Sequence, residues 1–293
     1  MRVPDYILDC VGFLGDVVPE SESDSFNHEA TVFVVSVPSA VPNAGSYHYL
    51  VTAKHSIVGR RNLAMLMNTA GGKDLILPDD HSEQWWFHPS DTTTDIAVTC
   101  LQPSSSLNFT SIPIDLLLTP ERIKERNIGI GDELFFPGLF QKAVGNQKNT
   151  PILRMGNLAM FPNEPIWVDL TEFKRGFMEA YLCEARSIKG ISGSPVFVKE
   201  TLTFGVREKD GAIIQVQGAS KFHLLGLMHG HWDVKESELN SVEIIPSARG
   251  VNVGIAVIVP AYKIIETLNQ PVLLAQREQA DEALRRRITP TPD

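Results

Sequence analysis

Cysteine is scarce in this 293-residue chain: Cys10, Cys100 and Cys183 stand far apart and form no C-x-x-C pair. That spacing removes thiolate zinc knuckles and dithiol redox centres from the readings, and an odd, sparse set of thiols points to a reducing, cytoplasmic compartment. Apolar runs of the roughly eighteen residues needed to span a bilayer are missing, and Met1-Arg2-Val3-Pro4-Asp5 has no apolar stretch behind it, so neither a membrane span nor a leader is expected. Positive charge is in deficit as well. Against 35 Asp and Glu there are 26 Lys and Arg, a net charge of −9, which argues against a nucleic-acid-binding surface. The basic exception, Arg285-Arg286-Arg287, reads as a solvated helix end. Gly71-Gly72, Gly129-Ile130-Gly131 and Gly250 lack the G-x-G-x-x-G spacing of a nucleotide loop, and His81 and His88 have no cysteines near them, so no cofactor and no metal are expected.

What the chain has is β-pattern. With 43% apolar and 21% charged residues it can fill a core. Residues 6–18, 30–37 and 47–53 read as strands separated by polar or Pro/Gly turns, followed by 62–68, 74–78, 84–88 and 95–101. Residues 103–127 are mixed, with Thr119-Pro120-Glu121-Arg122 as a short helix start, and a linker fits there. Seven further strands are expected at 132–137, 151–160, 178–185, 195–198, 212–217, 223–228 and 253–259. After Pro260 the period becomes helical: Tyr262, Ile264, Ile265 and Leu268, then Val272, Leu273 and Leu274, fit a C-terminal helix interrupted at Pro271. Its apolar residues form a broad face, which favours packing back on the strands over a coiled-coil seam.

The stretch Lys189-Gly190-Ile191-Ser192-Gly193-Ser194-Pro195 sets a serine between glycines just before the apolar Val196-Phe197-Val198. Such a turn can expose the hydroxyl while neighbouring N–H groups converge on one spot. A serine hydroxyl is a poor nucleophile until a histidine takes its proton and a carboxylate fixes the imidazole. His55 ends the strand-like Tyr49-Leu50-Val51-Thr52-Ala53, where a rigid support can present a ring to a cleft. Asp95 opens the run Ile96-Ala97-Val98, although Asp91 lies four residues earlier and either acid suits a turn. The order His55, Asp95, Ser192 is that of the chymotrypsin triad.

On Leu50-Val51-Thr52-Ala53-Lys54-His55, Asp95-Ile96-Ala97-Val98 and Gly190-Ile191-Ser192-Gly193-Ser194-Pro195, the chain resembles the trypsin-like serine peptidases, in their bacterial, intracellular branch. Leu225-Gly226-Leu227 and Asn252-Val253-Gly254-Ile255-Ala256-Val257 are similar to its pocket strands. The resemblance implies an all-β fold of two antiparallel six-stranded barrels with a C-terminal α-helix: residues 1–118 carrying His55 and Asp95, 119–260 carrying Ser192 and the specificity pocket, and 261–293 the helix and tail. It implies a serine endopeptidase with His55 as base and then acid, Asp95 as its orienting partner, Ser192 as nucleophile, and the N–H groups of Gly190 and Ser192 as oxyanion hole.

Departures from the family pattern carry information too. Ile191 stands where digestive members have an aspartate, so activation by a new N-terminal ammonium is not expected. The pocket would be formed by Arg186, Lys189, His229, Gly230 and His231. No acid is among them, which disfavours Lys or Arg at P1 and leaves an acidic residue or a small to medium apolar one. The expected partners are a peptide or protein substrate and a regulatory protein. The alternative is a binding or scaffold module of the same fold with a silent or closed site.

Overall fold

In the computed structural model, the described residues are 3–18, 25–60, 62–76, 85–171, 174–185, 190–200, 203–207, 213–217, 221–234 and 251–288. The N-terminal part runs α1 (Asp5–Asp9), β1 (Val11–Val18), β2 (Ser25–Pro38), β3 (Ser46–Thr52), β4 (Leu63–Thr69), β5 (Gly72–Ile76), β6 (Trp86–Phe87), β7 (Ala97–Leu101) and β8 (Ile112–Pro113). The rest comprises α2 (Pro120–Glu125), β9 (Glu133–Gly138), β10 (Ile152–Met160), β11 (Ile166–Thr171), β12 (Lys174–Met178), β13 (Tyr181–Glu184), β14 (Pro195–Lys199), β15 (Thr203–Arg207), β16 (Ile213–Gln217), β17 (Phe222–Val234), β18 (Val251–Pro260), α3 (Ala261–Leu268) and α4 (Pro271–Ile288).

Strands β9, β10, β13, β18, β17 and β14 close into a six-stranded barrel. The expected first barrel differs. Its strands form an eight-stranded sheet in the order β5-β4-β1-β2-β3-β7-β6, with β8 pairing parallel to β2, and among the described residues β5 and β6 do not pair to close it. At two residues β6 is too short to carry a closing ladder, and 77–84 lie outside the described residues. Two smaller hairpins, β11–β12 and β15–β16, stand apart. The expected strand over 6–18 is split: Asp5–Asp9 is helical with Ile7 buried, and pairing begins at Val11. The hairpin β11–β12 and strand β15 were not expected either.

Strand β3 explains how both faces of a sheet become core. Tyr49 and Val51 face one cluster, which also contains Phe33, Phe135, Leu224 and Val259, whereas Leu50 faces another with Leu14, Val32 and Met65. The first cluster draws residues from sheet and barrel alike, so the two halves share one interior. Thr119 caps α2 by accepting from the Arg122 N–H at 3.3 Å, with Pro120 in the first turn. The C-terminal helix breaks at Pro271 as expected, and α4 packs back on β3 and the turn that precedes it. Asp281 accepts from the Tyr47 hydroxyl (2.7 Å) and the Ala40 N–H (3.1 Å). Buried Arg277 donates to the Tyr49 hydroxyl (3.0 Å), the Leu268 carbonyl (2.9 Å) and Asn269 Oδ1 (3.0 Å). Arg285, Arg286 and Arg287 are exposed in its last turn.

Candidate active site

His55 sits in a short 3-10 turn, Lys54–Ser56, directly after β3 and the buried Ala53. The supporting strand cannot move easily, because buried Thr52 donates its hydroxyl to the Thr31 carbonyl at 2.7 Å. Asp95 precedes β7 and is 4% exposed. The two acids that the sequence left open separate cleanly. Asp91 closes its own turn, accepting from the Thr93 N–H (2.9 Å) and hydroxyl (2.7 Å) and the Thr94 hydroxyl (2.8 Å). Burial would raise its pKa, but these bonds outweigh that and hold it down at about 2. Asp95 instead reaches His55: Oδ1 accepts the His55 backbone N–H at 2.8 Å and Oδ2 the ring Nδ1 at 2.6 Å. With Nδ1 donating, the lone pair of Nε2 is left to act as base.

Ser192 lies on a turn hung between the two halves. Its carbonyl accepts from Thr31 N–H of β2 at 2.9 Å, and the Gly193 N–H donates to the Met228 carbonyl of β17 at 2.8 Å. Gly193 has φ +82, and a Cβ there would collide with the Thr31 carbonyl and the Thr52 hydroxyl, so glycine is required. Gly190, at φ +97, accepts the Thr31 hydroxyl at its carbonyl at 2.9 Å. Among the described residues neither the Gly190 nor the Ser192 N–H is engaged. The Ser192 hydroxyl donates to the His229 carbonyl at 3.1 Å. A hydroxyl has one proton, so in this arrangement none is shared with His55. Beside His55 lies a small cavity of about 100 Å³ lined by Lys54, His55, Val58, Thr92, Thr93, Thr94, Asp95 and Leu170.

Of the expected pocket residues, Arg186 and Lys189 lie outside the described residues. Gly230 and His231 sit on β17 opposite Val257 and Ala256, and space is open above Gly230. His229 is displaced from the pocket. The β17–β18 register pairs Met228 with Ile258 and Gly230 with Val257, leaving His229 as the extra residue of a bulge. A bulge re-aims a side chain, and this one turns the buried imidazole toward Asp95, to whose Oδ2 its Nδ1 bonds at 2.5 Å. Nε2 bonds the Asp169 carbonyl at 2.9 Å, so neither nitrogen is left for a substrate side chain. The rings of His55 and His229 meet edge to face, centroids 5.3 Å apart.

Burial would raise the Asp95 pKa, but the charges and hydrogen bonds of His55 and His229 hold its carboxyl far below the usual carboxylate range. Donor atoms of His55, Asp95 and His229 lie within 4.8 Å of one another, near enough to raise the question of an ion. The N–O separations of 2.6 and 2.5 Å are proton-bridged lengths, whereas two donors on a tetrahedral zinc stand roughly 3.4 Å apart given bonds of about 2.1 Å. The group is therefore built for hydrogen bonding.

No family model matches the sequence, and no curated protein matches it. Among solved structures the chain is similar to the MamO protease domain from Magnetospirillum magneticum in its apo form, at 13% identity and a TM-score of 0.51 over 90% of this chain and 98% of that one. It also resembles an HtrA-type protease bound to a tripeptide, at 14% identity and a TM-score of 0.46, over 92% of this chain and 62% of that one. The fold of this chain is thus similar to that of the MamO protease domain, and among its described residues one closed six-stranded barrel stands with a second β unit and C-terminal helices.

Proposed function

We propose that this chain is a serine endopeptidase whose nucleophile is Ser192, with His55 as general base and Asp95 as its orienting acid. The observation that carries the reading is the double hydrogen bond from His55 to Asp95, at 2.8 and 2.6 Å, beside a serine turn held by both halves of the molecule. In the reaction Nε2 of His55 takes the hydroxyl proton as Oγ bonds the substrate carbonyl carbon. The Gly190 and Ser192 N–H groups receive the oxyanion. The scissile C–N bond then breaks as His55 returns the proton to the leaving amine, and water repeats the sequence on the acyl-enzyme. The division of labour near residue 118 follows, with base and acid on one side and nucleophile and pocket on the other.

With the His229 ring bonded to Asp95 and the Asp169 carbonyl, the reading keeps Arg186, Lys189, Gly230 and His231 as the residues proposed to line the P1 pocket. The reading keeps an acidic or a small to medium apolar residue there, and a regulatory protein partner that controls access. One observation favours the second reading, a binding module with a closed site: the Ser192 hydroxyl is committed to the His229 carbonyl. A fluorophosphonate probe separates the two. Labelling of Ser192 that disappears in Ser192→Ala is expected, and failure to label under any condition would remove the enzyme reading. In a peptide-library digest, sustained cleavage after Lys or Arg would refute the pocket argument.

A further inference from the structure

We infer that His229 stands behind the base as an imidazolium, cancels the charge of Asp95, and so sets the pH range over which the site works. The inference rests on the endopeptidase reading above for its consequence, but its structural half does not. It follows from counting protons. The Asp169 carbonyl can only accept, so His229 Nε2 carries a proton along the 2.9 Å bond. Asp95 Oδ2 receives two histidine nitrogens, His55 Nδ1 at 2.6 Å and His229 Nδ1 at 2.5 Å. One carboxyl proton could point at only one of them, so at least one ring must donate, and an ionised Asp95 requires both to do so. Wherever the proton lies along the 2.5 Å bond, Asp95 and His229 together carry no net charge.

Among the described residues, the titratable and charged groups facing His229 are Asp95 from the loop before β7, His55 from the turn after β3, and Asp169 of β11. Asp169 is itself ion-paired with Arg175 of β12. Burial alone would lower the His229 pKa, yet Asp95 and Asp169 outweigh it and the net direction is upward.

The consequence falls on His55. In the usual triad an unpaired carboxylate orients the imidazole and also stabilises the imidazolium formed as the serine gives up its proton. Here Asp95 orients His55 through Oδ1 and Oδ2, but its charge already has a partner. A second positive charge centred 5.3 Å away works against the positive charge that builds on His55 as it takes the serine proton, so the pH range of the reaction depends on His229. His229 is a positioning residue in this scheme. Its imidazole touches neither substrate nor reacting atoms, and only its backbone carbonyl meets the Ser192 hydroxyl.

The test has two arms. In the intact protein with 15N-labelled histidine, both ring nitrogens of His229 should show protonated shifts at neutral pH. One unprotonated nitrogen at neutral pH would overturn the inference, whether or not the protein is an active peptidase. In the second arm, the pH dependence of fluorophosphonate labelling of Ser192 is compared with that of His229→Gln, which keeps a donor for Asp95 but no charge. The acid limb should move upward by about one to two pH units, the effect of unit charges at this spacing with an effective dielectric of roughly 20 or more. Coincident profiles would overturn the electrostatic role. Absence of labelling in both proteins would instead remove the endopeptidase reading, leaving the nitrogen shifts to decide the charge on His229.

Discussion

Single residues at the site carry opposite pH signatures. Asp95 is held below its unfolded value of about 3.9, so its contribution to stability is present above that pH and is lost as pH falls through the folded value. For His229 the folded value is raised above about 6.5, so its contribution is complete below that pH and is lost as pH rises through the folded value. Melting temperature should therefore decline on the alkaline side of neutrality in the wild type and decline less in His229→Gln. Parallel curves would contradict the assignment. Gly193→Ala tests the turn: an αL residue pressed on the Thr31 carbonyl should cost about 1–3 kcal/mol in urea titration and slow Ser192 labelling. The pairing of His55 with Asp95 was legible less from either residue's own run, where Asp91 was an equal candidate, than from their order along the chain and the resemblance it completes. The role of His229 was not. Alternation along β17 cannot reveal a bulge, and its partner is 134 residues away.

Elements show the same contrast between local and distant causes. The Thr119-Pro120 helix start and the break at Pro271 are local backbone chemistry, and both appear where the sequence puts them. Residues 6–9 read as part of a strand because Tyr6, Ile7 and Leu8 are simply apolar, whereas in the fold Ile7 enters the shared core from a helical turn. Hairpin β11–β12 escaped notice for a related reason: Trp167 and Phe177 face outward, edge to face at 4.9 Å, so the expected apolar-in pattern is broken. The attachment of α4 rests on Arg277, whose planar fork serves Tyr49, Leu268 and Asn269 at once. Arg277→Met would leave buried acceptors without a donor and should destabilise by about 2–4 kcal/mol in denaturant unfolding. Arg277→Lys should recover only part of that.

For the whole molecule, the resemblance led to two closed barrels, and among the described residues one barrel closes and the other sheet does not. Closure is decided by whether the first and last strands meet, and no residue pattern within β5 or β6 encodes that meeting. Strand content, order and the helical tail were readable because they depend on periodicity. The shared interior of Phe33, Val51, Phe135, Leu224 and Val259 makes separate unfolding of the halves costly, since each would expose the other's core face. Calorimetry should show a single transition with matching calorimetric and van't Hoff enthalpies. Two resolved transitions would show that the halves are energetically independent.

The hydrogen bond from the Ser192 hydroxyl to the His229 carbonyl has a consequence in time and population. A bond of ordinary net strength, about 1 kcal/mol, leaves roughly one molecule in six with its hydroxyl released at any instant. Rotation about χ1 takes picoseconds to nanoseconds, so the turned and released forms exchange far faster than any reagent arrives. Acylation would then start without a lag and run about sixfold slower than in a site whose serine always faced its base.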